Sequence, residues 1–233
     1  MVNDSYGGTS VYRHPIWEMW RVYRNNKSAM LGLMLFFFVL GLTLVAPYFY
    51  PQDPFELAGI PNIPPGDPEF FLGTDYIGRD VLAEIIHGGK ATLAVGAVAA
   101  MTTTLLGTLF GAMAGYYGGR IDSYLMRFTE LFQVMPAILF AMVIVSLFSP
   151  TLLNIALAIG LASWPGVARL MRGEFLRIKK AEFVLAARSI GTSEPYLIWR
   201  VILPNAIPTL LVAATLIIGS AILFEAGLSY LGL

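Results

Sequence analysis

Long apolar runs alternate with polar segments along this chain. Residues 29–50 are almost wholly apolar, and Pro47 and Pro51 mark their end. At about 1.5 Å per residue such a run crosses about 30 Å of hydrocarbon. Further apolar runs cover residues 91–116, 131–148, 152–167 and 205–225, so the pattern predicts five spans. Pro136 lies near the start of the third, Gly160 and Trp164-Pro165-Gly166 interrupt the fourth, and Pro208 falls in the first turn of the fifth. The second carries Gly107, Gly111, Gly115 and Gly119, a four-residue repeat of small side chains that suits close helix approach in lipid.

The polar segments differ in kind. Residues 1–12 are polar and predict a disordered tail; residues 15–27 predict an interfacial amphipathic helix, with Trp17, Trp20 and Tyr23 beside Arg21, Arg24 and Lys27. Residues 1–28 thus form a tail, 29–50 the first span, and 51–90 a long loop rich in proline and acidic residues. Residues 91–233 hold the other four spans. Their links are Gly118-Gly119-Arg120-Ile121-Asp122 running on to Arg127 and Glu130, a tight turn at Ser149-Pro150, and a long polar loop at about 169–204.

Composition agrees with this division. Hydrophobic residues are 57% and charged residues 13%, against about 45–50% and about 25% in soluble domains, and mean hydropathy is +0.69. The expected class is an all-α polytopic membrane protein. Zero net charge gives no bulk attraction to nucleic acid. The absence of cysteine excludes disulfides, thiolate nucleophiles and cysteine metal sites. The first apolar run is too long for the core of a cleavable signal and is expected to stay as a signal-anchor.

Basic residues set the orientation. Four lie in the tail, two in the 117–130 link and seven in the 169–200 stretch, leaving only Arg79 and Lys90 in the 51–90 loop. Five alternating spans put the first three groups on one side, which the positive-inside rule makes the cytoplasm. The 51–90 loop then faces outward.

Little chemistry is built into the chain. Gly73-Thr74-Asp75-Tyr76-Ile77-Gly78-Arg79-Asp80 imitates the front of a phosphate-binding loop but has Arg-Asp where Lys-Ser/Thr is needed, and it falls in the outward loop. His14 and His87 are isolated, and His87 is expected to be solvated. Glu225, Glu130 and Arg127 lie at span ends, and no carboxylate stands mid-span to couple an ion. Energy is therefore expected to enter from elsewhere; a stand-alone secondary carrier or channel stays open, and an intramembrane enzyme lacks any catalytic constellation.

The 169–204 loop is the remaining candidate. Seven basic residues stand against three acidic ones between Arg169 and Arg200. Its small residues, glycine and prolines predict two short helices joined by a polar turn at Thr192 to Pro195, a docking surface between spans.

This loop resembles the signature of ABC importer permeases: Glu-Ala-Ala, three residues, Gly, nine residues, Ile-x-Leu-Pro. Ala186, Ala187 and Gly191 match, and after nine intervening residues come Val201, Leu203 and Pro204. Leu185 stands where the consensus has Glu; Glu182 lies one helical turn earlier. Leu72-Gly73-Thr74-Asp75-Tyr76-Ile77-Gly78-Arg79-Asp80-Val81-Leu82, Gly115-Tyr116-Tyr117-Gly118-Gly119 and Leu228-Ser229-Tyr230-Leu231-Gly232-Leu233 resemble the dipeptide/oligopeptide/nickel group, and the short outer loop its C-type subunit.

The resemblance implies the transmembrane domain of a type I ABC importer, with five spans present and the sixth, after the Leu-Ser-x-Leu-Gly-Leu segment, missing. It implies a non-catalytic subunit of a prokaryotic cytoplasmic membrane transporter for dipeptides, oligopeptides or nickel chelates. Its partners would be a second permease subunit, two ATPase subunits, an extracytoplasmic solute-binding protein and the bilayer. ATP and magnesium would be bound by the ATPases and no cofactor by this chain. Ala186, Ala187, Gly191, Thr192, Ser193, Glu194, Leu203 and Pro204 would form the ATPase-coupling surface. A short helix around residues 189–195 would sit in a cleft of the ATPase. Pro195 would stop that helix, and Pro204 would stiffen the junction with the last span.

Overall fold

A computed structural model describes residues 20–21, 23–57, 59–149 and 151–231. The expected disordered tail, Trp17 and Pro150 lie outside the described residues. The chain divides into two compact units, one ending at Gly88 and the other running from Gly89.

In the first unit, Trp20 stacks on Tyr23 with ring centroids 6.1 Å apart. Asn26 starts the first long helix, α1 (Lys27–Phe49), by accepting the Ala29 N–H at 3.2 Å, as N-cap residues do. Past its first residues α1 is apolar all round, and most of its side chains are exposed, with Thr43 buried, which suits a lipid-facing span.

The expected loop 51–90 is shorter than the sequence pattern suggests. Helix α2 (Val81–Tyr117) begins within it. Asp80 caps this helix, its Oδ1 accepting the Leu82 N–H at 2.8 Å, while the Tyr50 hydroxyl donates to its other oxygen. Glu84, His87 and Lys90 gave this stretch its polar look, yet they recur every three residues along one helix. His87 is not a solvated loop residue: it is half-buried, with Nδ1 3.0 Å from the Ala83 carbonyl.

In the second unit, α2 runs beside α5 (Leu152–Ile178). The Thr103 hydroxyl donates to the Gly160 carbonyl. A Cβ at Gly107 would lie 2.5 Å from that of Val167, one at Gly111 2.3 Å from the Ala168 carbonyl oxygen, and one at Gly115 2.6 Å from that of Arg172. Positions rise together on both helices, so they run parallel, as second and fourth spans of an alternating bundle must. The stripe stops at Gly115. Gly119 meets nothing and opens the next helix instead.

The third apolar run is not one helix from 131 to 148. Helix α3 (Gly119–Val134) takes in the expected polar link, and α4 (Ala137–Leu147) follows at an angle of 84°. Pro136 causes the break, because it lacks an N–H and holds Met135 in extended conformation. Phe132 and Phe140, on either side of the bend, have ring centroids 5.7 Å apart, and Phe132 packs edge-on against Trp164 of α5 at 5.2 Å. Arg172 of α5 grips Asp122 of α3 with two hydrogen bonds of 2.5 and 2.6 Å.

The expected interruption of the fourth span is absent. Helix α5 passes through Pro165 and Gly166 and ends at Ile178, eleven residues beyond residue 167. Its buried stripe Val167, Ala168, Met171, Phe175 and Ile178 continues at helical spacing through the basic residues, so the polar loop starts later than about 169.

After the loop comes α8 (Leu203–Tyr230), which packs on α5. Among the described residues there is no strand, only an isolated bridge between Thr74 and Asp80. Among the described residues four helical segments are long and apolar enough to cross a membrane, or five if the bent α3–α4 pair is one span.

Candidate functional site

The candidate site is the segment from Lys179, the cap of α5, to Pro204. Helix α6 (Glu182–Ser189) carries Glu182 in its first turn and Arg188 in its last, which complements the helix dipole. Val184, 1% exposed, anchors it to a core of Phe175, Ile178, Leu197, Ile202 and Ala206. Ala187 is half-buried, and Ala186 and Leu185 point outward. Glu182 is exposed three residues before Leu185, on the same side of the helix.

Gly191 ends α6. The Thr192 N–H bonds the Ala187 carbonyl at 3.3 Å and the Gly191 N–H bonds that of Arg188 at 3.0 Å. These are the two bonds of a Schellman motif, with Gly191 at φ +84°. An added Cβ there would meet nothing within 4 Å. Gly191 is therefore required by backbone conformation and not by close approach within the chain.

The expected helix around 189–195 is displaced. Residues 190–193 form the turn, and Ser193 precedes α7 (Glu194–Tyr196). Pro195 does not stop a helix. It lies in the first turn of one, where its missing N–H costs nothing. From Glu194 the chain stays helical through a π-helical turn at Leu197–Ile202 into α8. Leu203 and Pro204 sit where that turn passes into α8, and Asn205 Nδ2 donates to the Val201 carbonyl at 2.7 Å. The junction is thus a continuous helix with a wide turn, without a hinge loop.

The outward side of the segment carries large apolar residues among exposed charges such as Lys180, Glu182, Arg188 and Arg200. Ile190 is 84% exposed and Trp199 63%, and Phe183, Leu185 and Tyr196 are also exposed. Ala186, Gly191, Ser193 and Glu194 are exposed among them and Thr192 is half-buried. The small-residue spacing brought out the alanines and the glycine. It passed over Ile190, Tyr196 and Trp199, whose signal was a set of large apolar residues inside a polar stretch.

The P-loop-like segment has no capacity for phosphate. Asp75 Oδ1 accepts the N–H groups of Ile77 at 2.9 Å and Arg79 at 2.8 Å, and the Thr74 N–H bonds the Ile63 carbonyl at 3.1 Å. A phosphate cradle needs such amides free.

The comparisons with known proteins agree with this architecture. Residues 107–233 match the family described as binding-protein-dependent transport system inner membrane component, and residues 14–65 match the N-terminal TM domain of oligopeptide transport permease C. The chain belongs to this family of ABC importer permeases, and its helical bundle is the transmembrane domain of a type I importer. It is 36% identical to the dipeptide transport system permease protein DppC of Bacillus subtilis over 217 residues, 93% of this chain and 68% of that protein. It is 34% identical to DppC of Haemophilus influenzae over 225 residues, 94% of this chain and 76% of that protein. It is 36% identical to the oligopeptide transport system permease protein OppC of Haemophilus influenzae over 215 residues, 91% of this chain and 69% of that protein.

Proposed function

We propose that this chain is the C-type membrane subunit of an ATP-driven, binding-protein-dependent importer of dipeptides or oligopeptides in a prokaryotic cytoplasmic membrane. The N-terminus and the segment 179–204 face the cytoplasm. A second permease subunit completes the path, and two ATPase subunits bind ATP and magnesium. A solute-binding protein delivers substrate from outside. The peptide substrate follows the names of the relatives; nickel chelates are the competing cargo.

One observation supports the docking role most directly. Large apolar side chains stand exposed around Ala186 and Gly191 on a polar stretch, where water alone gives them no reason to be. Such residues make interface anchors. The mechanical consequence follows from connectivity. The segment joins α5 through the Lys179–Ala181 turn and α8 without a break in helix. Closure of the ATPases would shift both helices together, a rigid-body switch between inward- and outward-facing states.

The test is co-purification and uptake in proteoliposomes with all partners present. Ile190→Glu buries a charge in the proposed contact, so ATPase binding is expected to weaken by about 2 kcal/mol or more and ATP-driven peptide uptake to cease. Unchanged co-purification and uptake would refute the docking role. Uptake by this chain alone under an ion gradient would favour the secondary carrier, and uptake of a nickel chelate in place of peptides would reassign the cargo.

A further inference from the structure

The docking segment has a second connection, which the loop signature does not contain. Tyr116, near the end of α2, is only 2% exposed and belongs to the core that anchors the segment. Its hydroxyl donates to Glu194 and accepts from Arg188 Nη2 at 3.1 Å, and Arg188 stands 3.6 Å from Glu194. Its carbonyl accepts from Lys179 Nζ. Its ring carries Lys179 Nζ 5.2 Å and Arg188 Cζ 5.9 Å from its centroid. One residue of α2 thus touches the cap of α5, the last turn of α6 and the start of α7.

The chemistry makes this a clasp. A buried phenol must find a partner for its hydroxyl, and the partners here are charged, which strengthens each hydrogen bond. Two cations on one aromatic ring add attraction through its quadrupole. Gly115 packs against Arg172 and Phe175 one residue earlier, so the end of α2 cannot slip along α5 to follow a loosened segment.

We propose that Tyr116 is a positioning residue that fastens the docking segment to α2, so that a displacement of the segment carries α2 with α5 and α8. The transmission half of this proposal rests on the docking role proposed above; the fastening half does not.

The fastening is tested on the 233-residue chain in lipid nanodiscs. The sequence has no cysteine, so Tyr117→Cys and Ile190→Cys give two unique spin-label sites, both exposed. The expected result is a narrow distance distribution that broadens about twofold in Tyr116→Phe and in Glu194→Gln, with the double variant no broader than either single one. Glu194 is exposed, so its variant leaves the core intact. Unchanged widths in both variants would overturn the clasp. Transmission is then read in the reconstituted transporter. Tyr116→Phe is expected to lower uptake per ATP hydrolysed about fivefold while the ATPases still co-purify. An unchanged ratio would overturn transmission. The label widths are measured without ATP or ATPases, so they decide the clasp even where the proposed function fails.

Discussion

Gly111 and Gly191 are the same residue in two regions that ask opposite things of it. Gly111 lies in a seam between two helices, where a single methyl carbon would come within 2.3 Å of the Ala168 carbonyl oxygen. Gly191 lies on an exposed turn with nothing within 4 Å of an added Cβ, but at φ +84°. The first glycine is there for what surrounds it, the second for the path the chain must take. The contrast separates the bundle, held by close contacts within the chain, from the segment 179–204, where the glycine is required by backbone conformation; the proposed docking role rests on the second region.

The largest effect is expected at the seam. Gly111→Ala must push two backbones apart. Overpacking of this kind costs about 1–3 kcal/mol, and helix pairs that associate in lipid through close approach have little hydrophobic effect to offset it. Thermal unfolding of the purified chain in detergent should show a lowered midpoint, accompanied by weaker ATPase binding because α5 carries the segment. A midpoint equal to that of the unsubstituted chain would mean that the stripe is not a packing seam.

The turn should respond differently. Gly191→Ala strains a left-handed position, at about 1–2 kcal/mol, but the strain falls on residues 190–193, outside the α2–α5 seam. Unfolding of the bundle is expected to change little while co-purification of the ATPases drops. Gly191→Asn sharpens the comparison, because Asn tolerates that conformation and fills only open space. It should restore most of the binding lost in Gly191→Ala. If Asn and Ala are equally defective, the requirement is for absence of a side chain against the partner and not for backbone conformation.

What could be read from the sequence follows the same line. The apolar runs and the glycine spacing reveal helices and a close seam, since both are periodic features of one chain. The loop signature coincides with a local motif the structure does contain, the helix end that Ala187 and Gly191 form. Polar residues are a poor guide to where these helices end. Glu84, His87 and Lys90 hid the first turns of α2, and Arg169, Arg172 and Arg177 hid the last turns of α5, because charge on one face of a helix resembles charge in a loop when only hydropathy is followed. Pro165 and Pro136 have the same chemistry, yet α5 absorbs one and α3–α4 breaks at the other. The difference lies in neighbours: Pro165 is buried in the seam helix beside Trp164, and no local rule reveals that. Tyr116 left no trace in the loop signature, since its partners come from three elements far along the chain.

The smallest expected effect is in the loop before α2, where side chain-to-backbone bonds around Asp75 hold the chain. Desolvation pushes the Asp75 carboxyl up, but the N–H groups of Arg79, Ile77 and Gly78 and the Arg79 charge outweigh it and hold the pKa below the usual carboxylate value. The sign follows from linkage: a carboxylate with a lowered pKa in the folded state contributes stability that is complete above its unfolded value and is lost as pH falls through the folded one. Order in residues 60–80 should therefore persist from neutral pH down to about pH 4 and decline below that. Asp75→Asn should flatten this acid dependence while leaving the loop somewhat looser at neutral pH, because an amide oxygen is a weaker acceptor than a carboxylate for the two N–H groups. Hydrogen exchange at the Ile77 and Arg79 amides, followed against pH, reads this directly. An acid loss equal in the Asn variant would assign it to another group and leave the loop, like the bundle, held by packing.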